Sequence, residues 1–228
     1  EKILKNINFK VRGGETIALV GATGAGKRTI INLITRFYDI DQGKLLIDGI
    51  DIRKVTLSSL RQQIGVMMQD NFIFSGTIMD NIRYGRLDAS EEEIIEAAKA
   101  VYVHDFISSL DKGYHTELNE RGSQLSVGQR QLIAFARTIL SDPGILILDE
   151  ATSSIDTQTE IMVQKATDAV LENRTSFVIA HRLSTIRNAD RILVLEKGEI
   201  IEEGSHDELL RKKGHYYELY RSQYKRVV

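Results

Sequence analysis

A run of small residues near the start of the chain ends in a lysine: Gly21-Ala22-Thr23-Gly24-Ala25-Gly26-Lys27. A loop so poor in bulky side chains lets several backbone N–H groups converge on one anion. A helix that follows it adds the positive end of its dipole. Phosphate is such an anion, and Lys27 is long enough to reach its outer oxygens. Far downstream, the apolar stretch Ile145-Leu146-Ile147-Leu148 runs into Asp149-Glu150. Carboxylates at the end of a buried strand can hold a cation or orient a water molecule. An anion cradle with paired acids suits phosphoryl transfer, which needs positioning and charge neutralisation more than covalent chemistry.

Position 28 departs from that chemistry. A hydroxyl directly after the lysine can ligate Mg²⁺, but here the residue is Arg28, followed by Thr29. A guanidinium has no acceptor with which to ligate a cation, and its charge repels one. Weakened Mg²⁺ binding and depressed hydrolysis are expected. Nucleotide could still be held, with Arg28 neutralising phosphate charge.

These residues need elements to carry them. Glu15 to Val20 reads as a buried strand, the glycine loop follows, and an apolar helix is expected over Lys27 to Phe37. Lys44 to Asp48 and Ile50 to Ile52 flank Gly49 as a hairpin. Ile64 to Met68 is a short strand ending at Gln69. Ser90 and Glu93 have capping-box spacing, ahead of Ile94, Ala97, Ala98 and Val101 on one helical face. Ser126 starts another helix, with Leu132, Ala136, Ile139 and Leu140 on its apolar side. After the strand at 145–149, a helix is expected from about Thr157 to Leu171, with Asp156 as N-cap. Strands are expected near Ser176 to Ala180, Arg191 to Leu195 and Glu199 to Glu202. A helical tail is expected over Asp207 to Tyr224. Strands alternating with helices predict a mainly parallel sheet covered on both faces.

The pieces together resemble a known family. Leu125-Ser126-Val127-Gly128-Gln129-Arg130-Gln131 is similar to the LSGGQ signature of the ABC ATPases. The acid-ended strand resembles their Walker B motif, and the upstream glycine loop their Walker A. In this order and spacing the likeness covers nearly the whole chain, which resembles the nucleotide-binding domain of an ABC transporter. It implies an α/β P-loop NTPase fold, with an inserted helical subdomain and a small antiparallel β portion. Residues 1–228 would form a single ATPase domain, with 1–74 and 143–228 as its α/β core and about 75–142 as the helical subdomain.

The resemblance also implies roles. Gly21, Ala22, Thr23, Gly24, Ala25, Gly26, Lys27, Arg28 and Thr29 would line the nucleotide, with ATP and Mg²⁺ as cofactors. Asp149 would hold Mg²⁺, assisted by Gln69 of a Q-loop. Glu150 would polarise the attacking water, and His181 in Val178-Ile179-Ala180-His181 resembles the switch histidine at the γ-phosphate. Ser126, Val127, Gly128 and Gln129 would close on ATP held by an opposite subunit, so a head-to-tail dimer is implied. Val127 stands where the usual motif has its first glycine. Asp156, in Ser153-Ser154-Ile155-Asp156, resembles the D-loop that crosses to that partner.

Ser75-Gly76-Thr77-Ile78, Asn81 to Gly85, and Glu120-Arg121-Gly122 resemble exporters of the multidrug and lipid type. Those proteins fuse the ATPase to membrane helices on its N-terminal side. The expected partners are therefore a second nucleotide-binding domain, homo- or heterodimeric, and a transmembrane domain in the parent chain. The expected location is the cytoplasmic face of a membrane. The family's adenine-stacking aromatic residue would lie upstream of Glu1.

Composition narrows the alternatives. The 228 residues are 42% hydrophobic, enough for a substantial core, and the formal net charge is −2. No bulk electrostatic pull toward nucleic acid is expected, which counts against a soluble ABC ATPase acting on DNA or ribosomes. The chain has no cysteine, which excludes disulfides and thiolate metal sites. No apolar run approaches the roughly 18–20 residues of a membrane span. Arg28 keeps one further reading open, that of a catalytically impaired nucleotide-binding module in a heterodimeric exporter.

Overall fold

The computed structural model describes residues 3–68, 72–150, 157–180 and 182–224. The first half carries β1 (Thr16–Val20), α1 (Lys27–Ile34), β2 (Leu46–Ile47), β3 (Ile50–Asp51), α2 (Leu57–Gln62), β4 (Ile64–Met67), β5 (Gly76–Thr77), α3 (Ile78–Arg83), α4 (Glu91–Ala100) and α5 (His104–Ser108). The second half carries β6 (Glu117–Leu118), α6 (Val127–Ser141), β7 (Ile145–Asp149), α7 (Thr157–Leu171), β8 (Thr175–Ile179), α8 (Leu183–Asn188), β9 (Arg191–Glu196), β10 (Glu199–Gly204), α9 (His206–Lys212) and α10 (His215–Tyr224). Among the described residues no helix is long and apolar enough to cross a membrane.

Two compact units result. The first comprises Glu1–Ile64, Ile145–Glu150 and Arg174–Val228; the second comprises Gly65–Gly144 and Ala151–Asn173. In the first, strands run in the order β10-β9-β1-β8-β7. β1 is parallel to both β8 and β9, β7 is parallel to β8, and only β10 runs antiparallel, against β9. β1, β7 and β8 are buried along nearly their whole length, as strands covered on both faces must be. Ile30, Ile31 and Ile34 of α1 join Ile17, Ile147 and Phe177 of the sheet in one apolar cluster. β2 and β3 pair through Asp48 and Gly49, both at positive φ, the conformation that an Asp-Gly hairpin turn requires.

One expected helix stops early and another is broken in two. The helix expected to reach Phe37 ends at Ile34, because Arg36 turns left-handed at φ 51°. Its guanidinium there donates to the carbonyls of Ile52 and Val55, each at 3.0 Å. The tail is two helices, since Lys213 leaves the helical region at φ 51° and caps α9. Beyond the break, Tyr216 is buried and its hydroxyl lies 2.7 Å from His206 Nδ1.

The second unit is mainly helical. α3 and α4 pack on α6, and so does α7. That packing places α7 in this unit rather than in the α/β core to which its sequence position assigned it. Among the described residues four helices start on capping boxes: Thr77 with Asp80, Ser90 with Glu93, Ser126 with Gln129, and, in the first unit, Ser205 with Glu208. Each pair satisfies two end N–H groups that helical bonding leaves without partners. In α4 the backbone N–H of Ser90, aided by Arg86, holds the Glu93 carboxyl below its ordinary value. Such a group adds stability above its unfolded value and loses it as pH falls through the folded one.

Two measurements test this packing. A Cβ on Gly85 would meet the Arg137 carbonyl oxygen at 2.1 Å, so Gly85→Ala should cost about 1–3 kcal/mol of stability by overpacking. An unchanged denaturation midpoint would show that α3 and α6 are free to part. Glu93→Gln should be less stable than the parent at neutral pH, and the two should converge as pH drops below about 4. A difference that persisted undiminished into acid would rule out the charge-assisted cap.

Candidate functional site

The glycine loop leaves β1 at its carboxyl end and enters α1, where ligands gather in open α/β sheets. Its backbone is built for glycine. A Cβ on Gly21 would lie 2.2 Å from the Leu195 carbonyl oxygen, so the loop runs directly on β9. Gly26 sits at φ 107° as the residue capping α1. No side chain caps that helix, and no acid stands in its first turn, so its positive end is left to face an anion.

Lys27 folds back across this loop. Its Nζ donates to the carbonyls of Gly21 at 2.5 Å and Ala22 at 3.0 Å. Burial holds the ammonium below its ordinary pKa. The Asp149 carboxylate opposes that shift, and the Arg28 cation reinforces it. Ala25 and Gly26 are buried, Thr29 is half-buried, and Ala22, Thr23 and Gly24 are exposed. The loop thus presents its middle to solvent and anchors its ends.

At the end of β7 the two carboxylates have different partners. Asp149 is 4% exposed and accepts from Arg28 at Oδ2, from Nε at 2.9 Å and Nη2 at 2.8 Å. The Arg28 side chain is 62% exposed, so the pair has one dry end and one wet end. Glu150, also 4% exposed, turns toward the start of α8. Its Oε2 accepts the Arg182 N–H at 3.1 Å, and its Oε1 accepts the Thr185 hydroxyl at 2.5 Å. Its own N–H donates to the Ile179 carbonyl at 3.2 Å. Both carboxylate oxygens are therefore fixed in direction, as a base must be before it can aim a water molecule. Thr185 is a site residue that reading the sequence missed. A threonine on the buried side of a short helix gives no signal of this role.

These residues do not fit a divalent cation. The position that should offer a hydroxyl offers a guanidinium, and the Asp149 oxygen nearest it is engaged by two N–H groups. Among the described residues no cluster of three or more His, Asp or Glu side chains could hold a metal. Gln69, Asp156 and His181 lie outside the described residues.

In the second unit Ser126 and Gln129 are occupied with each other. The Gln129 N–H donates to Ser126 Oγ at 3.2 Å, and Gln129 Oε1 accepts the Ser126 N–H at 2.9 Å. Gly128 is buried. Val127, 42% exposed, turns its side chain to solvent. Arg130 Nη1 donates to the Leu125 carbonyl at 2.6 Å and ties the approach loop to the helix.

Comparison with known proteins agrees with this fold. A family model described as ABC transporter matches residues 4–153. The chain is 57% identical, over its whole length, to the uncharacterized ABC transporter ATP-binding protein YknV of Bacillus subtilis, of which it covers 38%. It is 55% identical to the ATP-dependent lipid A-core flippase of Syntrophus aciditrophicus, over 98% of this chain and 37% of that one. The solved structure of a bacterial Atm1-family ABC exporter with ATP bound superposes with a TM-score of 0.90 at 48% identity, over 98% of this chain and 39% of that one. The chain therefore spans under two fifths of the length of these relatives. It belongs to the ABC transporter family, as one of its nucleotide-binding domains.

Proposed function

We propose that this chain is the ATP-binding and ATP-hydrolysing motor of an exporter. In this reading residues 1–228 act as one domain at the cytoplasmic face of a membrane, joined to a transmembrane domain. Two such domains close head to tail around ATP. The observation that carries it is the fixed Glu150 carboxylate at the end of β7, on the strand whose Asp149 is tied to α1 by Arg28. Its relatives, an ATP-dependent flippase and an exporter solved with ATP bound, support the same reading.

The chemistry follows from the chain's own groups. The loop N–H groups and the end of α1 receive the phosphates, and Lys27 exchanges the carbonyls of Gly21 and Ala22 for phosphate oxygens. Thr29 lies in the first turn of α1, in the same site. Glu150, aimed by Thr185 and the Arg182 N–H, orients the water that attacks the terminal phosphorus and takes up its proton. By resemblance, Gln69 would serve as the Q-loop residue, His181 as the switch histidine at the terminal phosphate, and Asp156 as the D-loop residue toward the partner. Ser126, Gly128 and Gln129, at the capped start of α6, meet ATP held by the opposite domain, where the helix dipole favours the anion. Val127 leaves that approach open by pointing to solvent.

One observation favours a second reading. Arg28 stands at the position of the family's metal-ligating hydroxyl and pairs with Asp149, so the chain would serve as the nucleotide-holding, weakly hydrolysing member of an unequal pair. A single substitution separates the two. Arg28→Ser should raise Mg²⁺-dependent hydrolysis, measured at high protein concentration, by about tenfold or more, corresponding to at least 1.4 kcal/mol in the barrier. Glu150→Gln added to that variant should lower the rate by about 10²–10⁴-fold, the usual loss with a general base. Equal rates for the parent and Arg28→Ser would refute the assignment of position 28. Undiminished hydrolysis in the double variant would refute the role of Glu150.

A further inference from the structure

An ABC nucleotide site ordinarily balances phosphate charge with a divalent cation beside its lysine. Here an arginine, Arg28, follows that lysine. Arg28 is the second residue of α1, adjacent to Lys27, and its guanidinium is held by two N–H bonds to one buried carboxylate oxygen. Asp149 is nearly inaccessible, and an unpaired carboxylate so buried is costly. It therefore holds the arginine in one pose. The guanidinium keeps a wet face, with its side chain more than half exposed, and its fork of donors matches phosphate oxygens in pairs. Fixing the side chain before the ligand arrives removes part of the ordering cost of binding. A metal carried in with the nucleotide would meet like charge where the family has a hydroxyl, and its carboxylate ligand would already be engaged.

We infer that this site selects nucleoside triphosphate free of divalent metal, with Arg28 as its permanent counter-cation. The inference rests on the reading of the Gly21–Lys27 loop as a nucleotide site. It reverses the ordinary dependence, since added Mg²⁺ should leave affinity unchanged or weaken it. Asp149, a metal ligand by resemblance, becomes a positioning residue that acts through Arg28.

Binding, rather than turnover, is the measurement. The chain contains no tryptophan, so methylanthraniloyl-labelled ATP can be followed against a quiet protein background. It is titrated into the parent chain, Arg28→Ser and Lys27→Ala, each in EDTA and in excess Mg²⁺. The parent is expected to bind at least as tightly in EDTA as in Mg²⁺, while Arg28→Ser loses about tenfold or more when the metal is removed. A parent that loses about tenfold in EDTA, as the serine variant does, overturns the inference but leaves the nucleotide site standing. Insensitivity of both parent and Arg28→Ser to EDTA overturns the assignment to Arg28. Absence of binding by the parent in both buffers, or unchanged binding in Lys27→Ala, overturns the nucleotide site and the inference with it. The parent comparison needs no variant, so a failure of Arg28→Ser to fold leaves the test decisive.

Discussion

Two adjacent carboxylates buried at the end of one strand constrain everything around them. Burying a charge is tolerable only when it is paired and hydrogen-bonded. β7 delivers Asp149 and Glu150 to nearly dry positions, so the elements beside it must supply donors. α1 supplies a guanidinium to the first; α8 supplies a backbone N–H and a threonine hydroxyl to the second. Parallel pairing with β8 sets where β7 ends, with Asp149 opposite Ile179. The short link from β8 into α8 then brings Arg182 and Thr185 within reach. The site is a consequence of satisfying these charges rather than an addition to a finished fold.

The signature segment shows the same economy. Ser126 and Gln129 are the residues that the family likeness assigns to a partner's nucleotide, yet within this chain they cap α6 for each other. A cap leaves the remaining end N–H groups of the helix without intrahelical partners, and those groups point an anion-attracting dipole outward. Structural and functional roles coincide at one helix end, so a loss of activity on replacing Ser126 would carry a stability component of about 1 kcal/mol.

Local rules made much of this legible from sequence. Strand, glycine loop and helix were readable at residues 15–34 because backbone freedom at Gly26 and burial in β1 are local properties. The Ser90–Glu93 box and the Asp48-Gly49 turn are likewise decided within a few residues. Illegible parts depended on distant partners. Arg36 stops α1 while bonding to carbonyls 16 and 19 residues away. Thr185 gains its role from Glu150, 35 residues earlier. The likeness to ABC ATPases named Asp149 as a metal ligand, and position 28 announced a conflict with metal. Only the fold, joining residues 121 apart, shows that the two make one ion pair.

That pair changes what the site can do. A metal arrives and leaves with nucleotide, so its charge is present only when the phosphates are. A guanidinium fixed by a buried carboxylate is present always. A partly buried ion pair of this kind is harder to break by removing one member than to form, because the survivor is left uncompensated. Arg28 therefore carries its charge in the empty site as well as the filled one, so no cation arrives or leaves to enlarge the difference between the two states. In a motor, that difference is what ligand binding can spend on moving the protein, since a ligand shifts an equilibrium only by its differential affinity. A site with its cation built in is suited to holding nucleotide steadily, whereas one that borrows its cation is suited to cycling.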